Sequence, residues 1–326
     1  MQGGYKTTEA DMEFLYFLER LRTPFLDKLF SFITMLGEET VFLAFALIII
    51  WCVNKREGYY ILTVGLFGIV VNQAVKLICR IPRPWVVDSN FSIVESARKE
   101  ATGYSFPSGH TQNATGTYGS VVAFSARKWV RALFSTLVLL IAFSRMYLGV
   151  HTPADVLFSL GFGVLLVLAL KPVFETELRF EKLMPFILSA GFAVTVLFSI
   201  FAFSLSESGI DLRNLESARE NAATLLGCTG ALLIVFFADK YFIRFKTEAS
   251  WYAQCIKFVL GLAAVLFLKA ALKSAFAASF ENQYLARCIR YFIIVIFAGI
   301  VWPLCFRFID RIRISAFDKT GSERSA

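Results

Sequence analysis

The residues most able to do chemistry gather in the stretch Ser144 to Asp155, SRMYLGVHTPAD, where a serine, an arginine, a histidine and an aspartate join two apolar runs. Those runs, Val130 to Phe143 and Val156 to Leu170, are each nearly long enough to cross a bilayer. Ionisable residues in such a place mark a functional site by default. Thr152-Pro153-Ala154-Asp155 predicts a helix start, with threonine as N-cap, proline at the first helical position and the acid at the third. Asp155 then has two readings. It caps the helix and nothing more, or, one turn beyond His151, it accepts a hydrogen bond from one ring nitrogen and leaves the other basic and aimed outward.

Two further stretches carry the same kinds of groups. Lys76 to Pro84, KLICRIPRP, closes an apolar run; Lys76 and Arg83 are seven apart, about two helical turns, and are expected to project from one face until Pro82 ends the helix. The alternative is a pair of snorkelling cations at a helix end, with Asn72 and Gln73 as interhelical contacts. Gly103 to His110, GYSFPSGH, opens the next run. A Pro-Ser-Gly turn at a helix N-terminus offers free N–H groups and the positive end of the dipole, an anion site in the making, or else an ordinary serine cap. The chain has only two histidines, and both lie in these stretches.

The elements that must position these groups are membrane spans. Of the 326 residues, 57% are hydrophobic and 18% charged, too apolar for a soluble domain. The expected fold is all-α and polytopic. Residues 8 to 36 mix apolar and charged side chains and suit an interfacial helix followed by a short or tilted first span; with Glu9, Asp11, Glu13 and Glu19 the start does not read as a cleaved leader. Spans are predicted at about 39–53, 58–79, 108–125, 130–149 and 154–171, and four more near 183–205, 221–238, 254–277 and 289–309. The six cysteines lie in or beside these runs with no close pair at metal-ligand spacing and read as small apolar fillers.

Loop charges set the orientation. Lys55 and Arg56, Arg127, Lys128 and Arg131, Lys171, Arg179 and Lys182, Lys240, Arg244 and Lys246, and the tail around Arg307, Arg311 and Arg313 fall on one side, which should be cytoplasmic. The net charge of +8 is explained by this pattern, with no nucleic-acid signal. All three polar stretches then share the extracytoplasmic face. Lys76, Arg83, Ser108, His110, Arg145, His151 and Asp155 together describe a site for a tetrahedral oxyanion, and the lack of acids at metal-ligand spacing makes a metal-free, cofactor-free mechanism the simpler one.

Lys76-x6-Arg83-Pro84, Pro107-Ser108-Gly109-His110 and Ser144-Arg145-x5-His151-x3-Asp155 resemble the three signatures of the type 2 phosphatidic acid phosphatase family, which shares its site with vanadium haloperoxidases. The resemblance implies a six-helix core over about residues 25–172 and metal-free hydrolysis of phosphate esters. It also implies roles: His151 as nucleophile, with Asp155 fixing its tautomer; His110 as the acid that protonates the leaving oxygen and then activates water; and Lys76, Arg83, Ser108, the Gly109 N–H and Arg145 as holders of the phosphate oxygens. Residues 1–24 are then an interfacial segment, 173–309 a C-terminal membrane extension of about four spans that shapes lipid access or self-association, and 310–326 a basic cytoplasmic tail.

The expected protein is a multi-pass phosphatase of the cell membrane acting on a lipid phosphate or polyprenyl diphosphate through a phosphohistidine. Trp85, Tyr104 and Phe106 flank the motifs and stand either at the head-group boundary or as belt anchors. A phosphotransferase with the same intermediate is the nearest alternative. A lipid phosphate transporter would need no nucleophile, and a haloperoxidase suits a membrane-embedded site poorly.

Overall fold

The computed structural model describes residues 7–207 and 210–311, all in helices and their connections with no strand among them. The expected tail from 312 onward lies outside the described residues, as do residues 1–6 of the expected interfacial segment. Eleven longer helices run in order: α1 Glu9–Arg20, α2 Pro24–Met35, α3 Glu39–Ile48, α4 Lys55–Cys79, α5 Gly109–Phe124, α6 Lys128–Tyr147, α7 Pro153–Phe174, α8 Glu177–Ser204, α9 Leu212–Ala238, α10 Trp251–Ser279 and α11 Gln283–Ile296. Helical turns of wider pitch prolong α3 to Val53, α9 to Ile243 and α11 to Val301.

Among the described residues seven helices are long and apolar enough to cross a membrane, and α2 with α3 passes the same test as a pair bent by 49°. The remaining path is α5. Its 16 residues carry Thr111, Gln112, Asn113, Thr115, Thr117 and Ser120, all buried, so it runs inside the protein and not against lipid. Thr115, Thr117 and Ser120 return their hydroxyls to carbonyls one turn back at 2.8, 2.7 and 2.5 Å, which satisfies them without a partner helix.

Small residues let the inner helices approach. A Cβ on Gly65 of α4 would lie 2.3 Å from the Phe42 ring, and one on Gly163 of α7 would lie 2.6 Å from Thr115, the close backbone packing that membrane interiors favour where lipid tails supply no competing hydrophobic drive. The first half, α2 to α7, is joined to α8–α11 on the face away from the polar stretches. There Lys55 pairs with Asp239 at 2.7 Å, and deeper in the membrane the Trp51 indole donates to the Ala298 carbonyl at 3.1 Å.

Two departures from the sequence reading, in α4 and α9, concern the ends of elements. Helix α4 stops at Cys79, with Arg80 left-handed at φ 51°, three residues before the expected stop at Pro82. Arg83 therefore reaches the site from extended chain and does not share a helix face with Lys76. Helix α9 starts at Leu212 on an Asp211 cap, about nine residues before the apolar run at 221, because Glu216, Arg219 and Glu220 continue the helix beyond the hydrocarbon. Helix α2 begins against the outer end of α6, with the Tyr147 hydroxyl donating to Asp27 at 2.9 Å, and ends where Leu36 accepts from the Tyr118 hydroxyl at 2.8 Å. It descends obliquely before α3 continues across.

Candidate active site

Every loop bearing a polar motif emerges on one face, the face where α4 and α6 end and α5 and α7 begin. There α1, the 80–107 loop and the 147–150 turn pack a small apolar cluster around Leu15, Phe91, Ile93, Tyr147, Leu148 and Val150. Arg22 is its polar rivet: Nε donates to the Tyr147 carbonyl at 3.0 Å and Nη1 to the Ser92 carbonyl at 2.8 Å. The turn into His151 needs Gly149, whose φ is +80° and whose Cβ, were it present, would meet Arg22 Nη2 at 2.7 Å. Irregular backbone at this depth is tolerated because it is buried in protein.

Beneath this cap lies a cavity of about 840 Å³ whose lining includes Lys76, Arg83, Gly109, His110, Arg145 and His151. Five of these are the expected cationic and imidazole side chains, drawn from α4, α5, α6 and two loops. Asp155 stands behind His151. Its Oδ2 accepts from the Thr152 N–H at 2.9 Å and the Ser105 hydroxyl at 2.5 Å, and lies 3.2 Å from His151 Nδ1. Helix cap and imidazole orienter are thus served by the same oxygen.

The histidine's tautomer follows from its other nitrogen. Arg83 Nη1 lies 3.0 Å from His151 Nε2, and a guanidinium only donates, so Nε2 presents its lone pair to the cavity and Nδ1 carries the proton given to Asp155. Burial first, then the Arg83 and Arg145 guanidiniums and the Lys76 ammonium, hold the His151 pKa well below the ordinary histidine value, since each disfavours the imidazolium.

The cations are braced by neutral groups. Lys76 Nζ donates to the Tyr104 carbonyl at 2.5 Å. Arg83 donates to the carbonyls of Thr102 at 2.8 Å, Gly103 at 3.1 Å and Val150 at 2.9 Å. Arg145 Nη1 donates to the Thr34 hydroxyl at 2.6 Å, and its Nε has no protein partner. All three side chains are buried, and no ion pair joins any of them to a carboxylate among the described residues. His110 differs from His151 in being unanchored: its Nε2 is buried without a partner.

Ser108 stands directly before Gly109, at the start of α5. It is fully buried, its hydroxyl lies 2.9 Å from Thr111 Oγ1, and it is absent from the cavity wall. Its backbone N–H donates to the Asp155 carbonyl at 3.2 Å, which fastens the start of α5 to the start of α7, while Gly109 beside it does line the cavity. Tyr104 is buried, Trp85 lies under Arg83 and Arg98, and Phe106 packs on Phe158.

Sequence reasoning missed Ser105, Thr34 and the acids Glu38, Glu39 and Glu100 on the cavity wall. Ser105 was within a quoted motif, three residues before Ser108, and its hydroxyl was the available signal. Thr34 had none, being placed by the α2 to α6 contact alone.

Residues 56–179 match the model of the PAP2 superfamily, and residues 221–312 that of the PAP2 superfamily phosphatase, transmembrane extension. The chain is 32% identical over 149 residues to undecaprenyl-diphosphatase BcrC of Bacillus subtilis, covering 43% of this chain and 71% of that one. It is 28% identical over 174 residues to phosphatidylglycerophosphatase B of the same organism, covering 50% and 82%. With sphingosine-1-phosphate phosphatase 1 of Rattus norvegicus it shares 23% identity over 205 residues, 61% of this chain and 45% of the relative. No solved structure matches.

Because the chain has two histidines, carbon-13 labelling of the imidazoles yields two resonances, assignable with His110→Asn. The His151 resonance is expected to stay that of a neutral, Nδ1-protonated ring from pH 8 through the 6.5 of an ordinary histidine. Titration at or above that value would contradict the electrostatics described here.

Proposed function

This chain belongs to the PAP2 superfamily and is a membrane phosphatase, and on that premise we propose that it hydrolyses a lipid phosphate or polyprenyl diphosphate at the extracytoplasmic face through a phosphohistidine, without a metal. The observation that carries the reading is the pairing of an oriented, unprotonated His151 Nε2 with three cations around one cavity, none of them in an ion pair among the described residues.

In this reading the phosphoryl group enters among Lys76, Arg83 and Arg145, with the Gly109 N–H and the dipole of α5 behind it. Arg83 exchanges its contact with Nε2 for phosphate oxygens, and its planar fork suits two oxygens at once. The Nε2 lone pair forms a P–N bond in line as the P–O bond to the lipid breaks. His110, which takes up a proton as the phosphate dianion enters beside it, gives that proton to the departing oxygen. Nδ1 keeps its proton, and Asp155 stabilises the positive charge the ring acquires on phosphorylation. His110, now neutral, takes a proton from water, the hydroxide oxygen attacks phosphorus, and the P–N bond breaks to release inorganic phosphate and restore His151. The cations supply charge stabilisation where negative charge redistributes over the equatorial oxygens, the part a metal otherwise takes.

Sidedness rests on the loop charges. The basic residues Lys55, Arg56, Arg127, Lys128, Lys171, Lys240 and Arg244 lie at helix ends on the face away from the cavity, and basic short loops stay cytoplasmic. With cysteine placed at Ser92 or Lys128 in a background lacking the native cysteines, an impermeant thiol reagent on intact cells is expected to label 92 and spare 128; the reverse would invert the topology.

The two histidines are separable by leaving group. His151→Ala should be inactive on every substrate. His110→Ala should lose roughly a hundredfold or more on an alkyl phosphate, the usual scale of acid catalysis, and far less in the first turnover of p-nitrophenyl phosphate, whose leaving group needs no proton. Equal losses on both substrates would remove His110 from the acid role.

A further inference from the structure

The start of α3 belongs to two cavities. Glu39 and Thr40 line the catalytic cavity, and Thr40 also lines an open cleft of about 1140 Å³ walled by α3, α4, α9, α10 and α11. The cleft's surface is almost wholly apolar, with Leu43, Ala44 and Leu47 on one side and Leu262, Val265 and Leu266 on the other. Its one charged lining residue among those described is Lys269, the cation that acts most strongly on Glu39. The polar end of the cleft therefore adjoins the catalytic cavity, and its far end reaches Trp51 and Phe245, near the opposite face.

From this continuity we propose that the cleft seats the hydrocarbon chain of the lipid whose phosphate occupies the catalytic cavity. The C-terminal extension, which supplies the α9–α11 walls, is then a chain-recognition element. The inference rests on the phosphatase reading for the identity of the head group. The length fits: from Thr40 to Trp51, α3 rises about 16 Å, about half of the roughly 30 Å hydrocarbon core, which is room for one hydrocarbon chain running away from a phosphate held in the catalytic cavity. The charges fit too. A hydrocarbon chain asks nothing of the cleft wall but apolar surface, and the only formal charge on that wall stands at the end where the head group enters. The substrate class that follows is a long-chain phosphate ester, with the chain read by volume and the phosphate by charge.

The test compares hexadecyl phosphate with p-nitrophenyl phosphate on the purified full-length protein. Ala44→Trp and Leu262→Trp fill the cleft, and each should lower the ratio of kcat/KM for hexadecyl phosphate over that for p-nitrophenyl phosphate by roughly tenfold or more, the effect of denying burial to a few methylene groups. Phe267→Trp, on the exposed side of α10 at 75% exposure, should leave the ratio unchanged. A ratio unmoved by the two cleft variants would overturn the proposal. So that misfolding cannot obscure the answer, hexadecyl phosphate carrying a diazirine at its chain end is photolysed with His151→Ala, which holds substrate uncleaved. Label on peptides of α3 and α10 supports the seat, and label confined to α6 and α7 overturns it. If the wild type released phosphate from neither substrate, the phosphatase reading would fall while the cross-link still reported where the chain lies.

Discussion

Three buried cations that share a cavity and have no carboxylate bound to any of them set the terms for the rest of this protein. Removing one such ion from water costs several kcal/mol even after relaxation, and the neutral partners of Lys76, Arg83 and Arg145, carbonyls and one hydroxyl, orient the charges without cancelling them. The fold must hold like charges together against their repulsion, and a multiply charged anion is the species that relieves it. This explains why so much non-helical chain is gathered on one face. The 80–107 loop, the 147–150 turn and α1 supply the backbone acceptors and the apolar cover that keep the cations desolvated, with Arg22 fastening the cover to both loops.

Within that field the histidines are distinguished by attachment. His151 is fixed at both nitrogens, by Asp155 and Arg83, and the positive surroundings keep Nε2 unprotonated. His110 has a buried, unpartnered Nε2 and can turn to whatever occupies the cavity. A nucleophile gains from rigid placement, since geometry sets the approach to phosphorus. A group that must first give a proton to one oxygen and then take one from another gains from its freedom.

Much of this was legible because membrane spans are long apolar runs and charge at their ends is rare. The all-α polytopic fold and the three polar stretches could be read directly, and Asp155 left two readings open that turn out to share one oxygen, Oδ2. What escaped was non-local or lay at element ends. The left-handed Arg80 ended α4 two residues ahead of Pro82, at a position with no glycine or asparagine to mark it. Helix α9 extended past its hydrophobic run because a span's length in lipid and a helix's length in water are separate quantities. The partner of the Ser108 hydroxyl, Thr111 Oγ1, was also not legible, since hydroxyl direction depends on packing that no spacing encodes. Thr34 and the α1 cover were invisible for the same reason, as contacts between segments 111 residues apart for Thr34 and Arg145 and 72 and 73 apart for α1 and the 80–107 loop.

The central claim is that His151 forms a covalent bond to phosphorus with no metal present. The measurement that meets it head on is acid-labile, phosphorus-32 labelling of the protein from a labelled alkyl phosphate in EDTA, quenched in alkali and mapped by mass spectrometry. The account predicts label on His151 and none in His151→Ala; from labelled p-nitrophenyl phosphate, whose leaving group needs no proton, label should also build up in His110→Ala, where water is poorly activated. Label on His110, or labelling that appears only when a divalent cation is restored, would contradict it.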